Sequence, residues 1–174
     1  MRHGTMKKRH TNLVLIGMPG SGKSTVGVLL AKKTSRDFID TDVIIQTSQQ
    51  RTLQDIVDRD GYRTLRKIEE TVLLDLSLTN HVIATGGSAV YSDQAMKHLS
   101  DNGVVIFLDI TMATLQSRVH DFATRGIAKR PDQSLTDLFE ERFALYTRYA
   151  DITIATDSFT HEQVCGEIIR HATE

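Results

Sequence analysis

Residues 13–25 read Leu-Val-Leu-Ile-Gly-Met-Pro-Gly-Ser-Gly-Lys-Ser-Thr. The apolar run Leu13 to Ile16 has the length of a short buried strand. Gly17 then opens the pattern G-x-x-x-x-G-K-S, which closes on Gly22, Lys23 and Ser24. The stretch Val26 to Lys33 is helical in character, so a helix is expected to begin near Lys23. Strand, glycine loop and helix in that order form the context a phosphate-binding loop requires. The glycines allow a tight turn that points successive amide N–H groups inward, and the helix start adds unpaired N–H groups and its dipole. Gly20, Ser21, Gly22, Lys23, Ser24 and Thr25 are the expected nucleotide-binding residues. Lys23 would reach the outer phosphates, and the Ser24 hydroxyl would bind Mg²⁺.

Working outward, the 174 residues suit one domain with a real core. The formal net charge of −1, 6% aromatic content and absence of Trp argue against a nucleic-acid partner. A single cysteine, Cys165, rules out an intrachain disulfide. It sits a turn from Ile168 and Ile169, as a buried helix-face thiol would. No apolar run reaches the ~18 residues of a membrane span, and no signal peptide is expected, so the cytoplasm is the expected compartment. Residues 1–10, with basic Lys7, Lys8 and Arg9, are expected to be a flexible lead-in or a cloning remnant. Residues 11–174 would then form a single P-loop domain.

Further strands are expected at Phe38-Ile39, Val82 to Ala84, Val104 to Leu108 and Ile152 to Ala155. Helical patterns separate them. Thr52 with Asp55, and Ser134 with Asp137, have capping-box spacing, and Gly61 separates two helices. Residues 121–133, with Gly126 and Pro131, lack a period and read as a loop. Five short strands alternating with helices predict an α/β fold, a three-layer α/β/α sandwich around a parallel sheet. Ligands of such sheets sit beyond the carboxyl ends of the strands. Asp40 and Asp42 follow strand two there, and Gly86-Gly87 follow strand three.

Two classes of nucleotide protein compete. A guanine-specific switch would carry Asn-Lys-x-Asp, which does not occur. Asp58-Arg-Asp-Gly61 matches D-x-x-G but follows a helix, and is read as coincidence. A small kinase needs an acceptor pocket and a lid that excludes water, and the sequence offers candidates for both.

Several segments together resemble the shikimate kinases, nucleoside-monophosphate-kinase-like P-loop proteins. They are Gly17 to Thr25, Phe38 to Asp42, Leu65 to Glu69, Ile83 to Ser88, Arg118, Arg130-Pro131 and Arg142 to Tyr146. The resemblance implies a five-stranded parallel sheet in the order 2-3-1-4-5. It implies ATP and Mg²⁺ as cofactors and transfer of the γ-phosphate to the 3-hydroxyl of shikimate, giving shikimate 3-phosphate. It places Asp40 with Ser24 at the metal and Asp42 at the acceptor hydroxyls. Arg66 and Arg142 would clamp the acceptor carboxylate, since a guanidinium meets two carboxylate oxygens with parallel N–H groups. Gly86 and Gly87 would let the backbone approach the acceptor. Arg118 would lie against the adenine, and Arg130 would be the lid arginine, with catalysis resting on Lys23, Asp42 and Arg130. Glu69, one turn from Arg66, would hold that arginine in place. Helix capping is the competing role for Asp42, and pairing with Glu70 the competing role for Arg66. The histidines show no metal-ligand spacing and are read as solvent-facing or packing residues. A monomer that meets neither nucleic acid nor membrane is expected.

The chain departs from the family pattern in places. Ser88 replaces a third glycine, Leu65 and Val57 stand where pocket aromatics are common, and Ala144 replaces a proline. The lid near 121–133 is longer than the family pattern and carries a second arginine, Arg125, in Thr-Arg-Gly-Ile. The Gly-Gly-Ser loop with Arg-Gly-Ile is similar to a homoserine-kinase branch, which makes homoserine the alternative acceptor.

Overall fold

The sheet runs β2-β3-β1-β4-β5, all parallel, as the resemblance implied. The computed structural model describes residues 11–120 and 124–172. The expected lead-in and residues 121–123 of the expected lid lie outside the described residues. The strands are β1 (Asn12–Ile16), β2 (Asp37–Asp40), β3 (His81–Ala84), β4 (Gly103–Asp109) and β5 (Ile152–Ala155). The helices are α1 (Lys23–Thr34), α2 (Thr41–Gln49), α3 (Leu53–Asp60), α4 (Tyr62–Asp75), α5 (Asp93–Ser100), α6 (Met112–Arg118), α7 (Leu135–Tyr149) and α8 (His161–Ala172). None is long and apolar enough to cross a membrane among the described residues.

The alternation of side chains along each strand builds two cores. Leu13 and Leu15 join Ile106, Leu108 and Ile154 against α1 and α8. Val14 and Ile16 join Ile83, Val105 and Phe107 against α4, α5 and α7. β1 has neighbours on both edges and helices on both faces, which is why its sequence is continuously apolar from Leu13 to Ile16. A third, smaller cluster holds Ile45, Ile56, Leu65 and Ala128, joining α2, α3 and α4 to the loop before α7.

The helix boundaries follow from local chemistry. The Thr52 side chain accepts from Asp55 N at the start of α3, and Ser134 with Asp137 forms a full capping box on α7. Gly61 takes φ 84, ψ 161 between α3 and α4, a conformation that turns the chain without a side-chain penalty. The Asn12 side chain accepts from His81 N at 2.9 Å and donates to Leu78 O at 2.8 Å. Those bonds lock the amino ends of β1 and β3 together, so the carboxyl ends form one rim.

Candidate active site

The loops after β1, β2 and β3 meet at that rim. They enclose a cleft of about 650 Å³ with the carboxyl-terminal end of α6, Arg142 in the middle of α7 and the segment before α7. Its floor is the loop before α1. Gly22 sits at φ 94 as the residue preceding that helix, a left-handed conformation that favours glycine. Lys23 Nζ donates to Gly17 O and Met18 O, both at 2.8 Å, so the lysine folds back over its own loop. Burial lowers its pKa to about 8, against partial compensation from Asp42 and Asp40. Gly20, Gly22, Ser24 and Thr25 line the cleft beside it. Ser21 is buried behind the loop, where its hydroxyl accepts from Lys23 Nζ at 3.4 Å.

Asp40 ends β2 and caps α2, while Asp42 already lies in the first turn of that helix, so the two side chains diverge. Asp40 Oδ1 accepts from Asp42 N at 2.9 Å, and Asp40 Oδ2 accepts from the Ser24 hydroxyl at 2.5 Å. The cap of α2 is therefore Asp40, not Asp42. Asp42 is left to face the cleft. Burial, then the neighbouring Asp40, raises its pKa.

The fit of Ser24 and Asp40 to a hard cation rests on their chemistry. A hydroxyl and a carboxylate lie in contact, and the carboxylate holds its second oxygen in a helix cap. Mg²⁺ takes one or two protein oxygens and draws its other ligands from water and substrate phosphates. No group of three or more His, Cys, Asp or Glu is placed to hold a metal among the described residues, which this mode of binding does not need.

Gly86 and Gly87 are indispensable for space. A Cβ on Gly86 would stand 2.3 Å from Glu69 Oε1 and 2.8 Å from Asp42 Oδ1. One on Gly87 would stand 2.6 Å from Arg142 Nη1 and 3.0 Å from Pro19 Cδ. The Tyr146 hydroxyl donates to Gly87 O at 2.6 Å and holds this loop from below. Arg142 is 1% exposed and lines the cleft. Arg66 is half-buried, and the two guanidinium groups converge: each donates from Nη2 to Ala128 O at 3.0 Å. The Nε of each is buried with no partner among the described residues. Paired cations with unmet donors suit a carboxylate.

Three expectations are corrected. Glu69 does not hold Arg66; it accepts from the Ser88 hydroxyl through Oε2 and faces Asp42. Arg66 is held by aromatic faces instead, 3.5 Å over Tyr91 and 5.1 Å over Tyr62, and no ion pair with Glu70 occurs among the described residues. Arg130 does not enter the cleft. Its Nη1 pairs with Glu141 at 3.0 Å, a carboxylate that also receives Gln133 and Tyr91. Arg125 lines the cleft in its place. Arg118 does line the cleft, and its Nη1 donates to Gly20 O at 3.2 Å.

Two residues went unread in the sequence. Tyr91 lies in a short 3₁₀ turn (Ala89–Tyr91), with Arg66 3.5 Å and Arg142 5.6 Å over its ring. No spacing announces it, because the contact is tertiary. His161 begins α8 and packs on the phosphate loop: a Cβ on Gly22 would lie 3.4 Å from its Nε2. It is exposed and borders the cleft, a position that its reading as a solvent-facing or packing residue did not locate.

A family model described as "Shikimate kinase" matches residues 19–173. A curated shikimate kinase of Rippkaea orientalis is 38% identical over 162 residues, covering 91% of this chain and 86% of that one. The structure of shikimate kinase from Acinetobacter baumannii in complex with shikimate superposes with a TM-score of 0.86. It is 29% identical, and the match covers 95% of this chain and 94% of that one. Shikimate kinase from Aquifex aeolicus gives a TM-score of 0.79 at 34% identity, covering 91% and 94%. With the sheet order, the glycine loop before α1 and the paired glycines after β3 in place, the chain belongs to the shikimate kinase family, nucleotide-dependent phosphotransferases that act on an alcohol group.

Proposed function

We propose that this chain transfers the γ-phosphate of ATP to the 3-hydroxyl of shikimate. One observation carries the reading: Asp42 and Arg142, from different helices, line the same cleft as Lys23. The cleft thus offers a phosphate cradle, a base and a carboxylate partner within one enclosure.

Gly20 to Thr25 hold the triphosphate through backbone N–H groups, with Arg118 against the adenine. Ser24 and Asp40 would hold Mg²⁺, which when bound neutralises phosphate charge. Arg142 and Arg66 take the acceptor carboxylate with their unpartnered N–H groups. Asp42 then faces the attacking hydroxyl. The acceptor oxygen bonds to the γ-phosphorus, the bond to the β,γ-bridging oxygen breaks, and the hydroxyl proton passes to Asp42. Its raised pKa suits it to receive that proton. Lys23 follows the charge that moves toward the leaving diphosphate. Arg125 is the lid arginine in this reading, because it already lines the cleft that the phosphate loop floors. The working unit is one domain, residues 11–174, with a lid near 121–133. It acts as a cytoplasmic monomer without nucleic acid.

The test is ATP consumption over shikimate, homoserine, gluconate and nucleoside monophosphates. Shikimate should be the preferred acceptor. Phosphorylation of homoserine with shikimate inert would overturn the acceptor while leaving the kinase.

A further inference from the structure

Arg66 on α4 and Arg142 on α7 bring two guanidinium groups onto one carbonyl, Ala128 O, of a residue that lines the cleft. Like charges that converge need a counter-charge. Neither arginine forms an ion pair among the described residues. A carboxylate paired directly with Arg66 would fill the N–H donors that an acceptor has to meet. The nearby carboxylate is Glu141, and it is turned elsewhere. It accepts from the Tyr91 hydroxyl at 2.5 Å, from Arg130 Nη1 at 3.0 Å and from Gln133 Nε2 at 3.1 Å. Three donors fix it in place.

Tyr91 joins the two groups. Its hydroxyl points at Glu141, and its face carries Arg66, with Cζ 3.5 Å from the ring centroid. Tyr62 stands farther off, at 5.1 Å. A ring attracts a cation over its face, and a phenol that donates to a carboxylate is polarised toward a more electron-rich ring. The N–H bonds of a guanidinium lie in its own plane, so a contact on the flat face leaves them pointing outward. Arg66 spends one donor on Ala128 O, and its Nη1, unlike the buried Nε, is open to solvent and without a partner among the described residues. Burial weakens the charge of Arg66; Tyr91 and Glu141 act against that, whereas Arg142 adds to it. Burial also raises the Tyr91 pKa, so the phenol keeps its proton and remains the donor to Glu141.

We propose that Tyr91, backed by Glu141, is a positioning residue for the acceptor carboxylate: it fixes Arg66 by its flat face and brings counter-charge from behind, leaving the guanidinium edge free for the acceptor. The inference rests on the acceptor reading above and deepens it. Tyr91 acts through Arg66, so its effect disappears when the guanidinium does.

The experiment uses the full chain as wild type, Tyr91→Phe, Tyr91→Leu and Glu141→Gln, each also combined with Arg66→Met, with melting temperatures to confirm folding. Initial rates are measured with shikimate and ATP varied in turn. Tyr91→Leu should raise the shikimate KM by roughly tenfold, the scale of a cation held on a partly desolvated ring. Tyr91→Phe keeps the ring, and Glu141→Gln keeps an acceptor for the hydroxyl, so each should cost about threefold. The kcat should fall less than the KM rises, and the ATP KM should hold. In the Arg66→Met background none of the three should move the shikimate KM by more than about twofold, because residues that act as one unit do not add. Tyr91→Leu that costs as much in that background as in wild type would overturn the positioning role and leave the kinase reading standing. An unchanged shikimate KM in Tyr91→Leu, or an ATP KM that rises in step, would do the same. Should Tyr91→Leu fail to fold, Tyr91→Phe and Glu141→Gln decide, and an unchanged shikimate KM in both overturns the role. A wild type inert on shikimate would overturn the acceptor reading by itself; the same KM ratios on homoserine, which also carries a carboxylate, then decide on Tyr91. A wild type inert on both acceptors would overturn both.

Discussion

Replacing Arg142 by Met separates acceptor binding from everything else the site does. Arg142 is 1% exposed, donates to Ala128 O at 3.0 Å, and keeps a buried Nε without a partner among the described residues. A charge-assisted hydrogen bond is worth roughly 1.5–3 kcal/mol. Met keeps the bulk of the stem but none of the donors, so one or two such contacts to the acceptor carboxylate disappear. At 1.4 kcal/mol per factor of ten, a loss of about 3 kcal/mol raises the acceptor KM on the order of 100-fold. Folding should also lose some stability, because the buried Glu69 and Asp42 carboxylates lose a cation that faces them, and thermal melting reads that loss separately from the KM. Arg66→Met should cost less, since that group is half-buried and partly held by the Tyr91 face, 3.5 Å away. Both arginines share Ala128 O and, in the proposed complex, one carboxylate, so the double variant should lose less than the sum. The assay is initial rates with acceptor and ATP varied in turn, beside thermal melting. An acceptor KM within about threefold of wild type, against the 10- to 100-fold scale of one such contact, or an ATP KM rising in parallel, would refute the clamp.

Arg125→Ala should lower kcat by about 10²-fold with the acceptor KM little changed, as loss of a phosphate-facing donor does. Arg130→Ala, which breaks the pairs with Glu141 and Asp132, should keep turnover within a few-fold; the opposite ranking by steady-state kinetics would return the lid role to Arg130. Nucleotide binding should take up protons in mildly alkaline solution. Lys23 is held at about 8 against an ordinary 10.5, so the free protein loses that proton as pH rises through 8, and phosphate charge restores it. Calorimetry in buffers of different ionisation enthalpy should find about half a proton taken up per site near pH 8 and almost none a unit and a half lower, and Lys23→Met should abolish the uptake. Gly86→Ala would force the Glu69 and Asp42 oxygens away from a Cβ only 2.3 and 2.8 Å off, so turnover should fall by at least ~10²-fold while a fluorescent ATP analogue still binds normally.

The phosphate loop was legible in the sequence because its chemistry is local. Glycines at fixed spacing, a lysine and a hydroxyl beside a strand and a helix specify one backbone shape, and Lys23 lies on the cleft floor as that shape demands. The strands and helices were legible for the same reason: period, caps and breakers act over a few residues, as at Ser134 and Gly61. Sheet order came from resemblance, not from any residue pattern, because nothing local in β1 states which strands flank it. The acceptor side depended on tertiary structure throughout. Asp40 and Asp42 were told apart in the sequence only by resemblance; in the structure Ser24 takes one oxygen of Asp40 and the start of α2 the other, which makes Asp40 and not Asp42 the helix cap. Arg130 and Arg125 sit five positions apart in one loop, and only Glu141, on a helix the loop leads into, decided which of them turned outward. Glu69 looked like a partner for Arg66 from helical spacing, yet Ser88 and Tyr91, from a loop after another strand, claimed one side chain each. A charged side chain has several partners within reach along its own helix. Burial is what selects among them, and burial exists only once distant segments have packed.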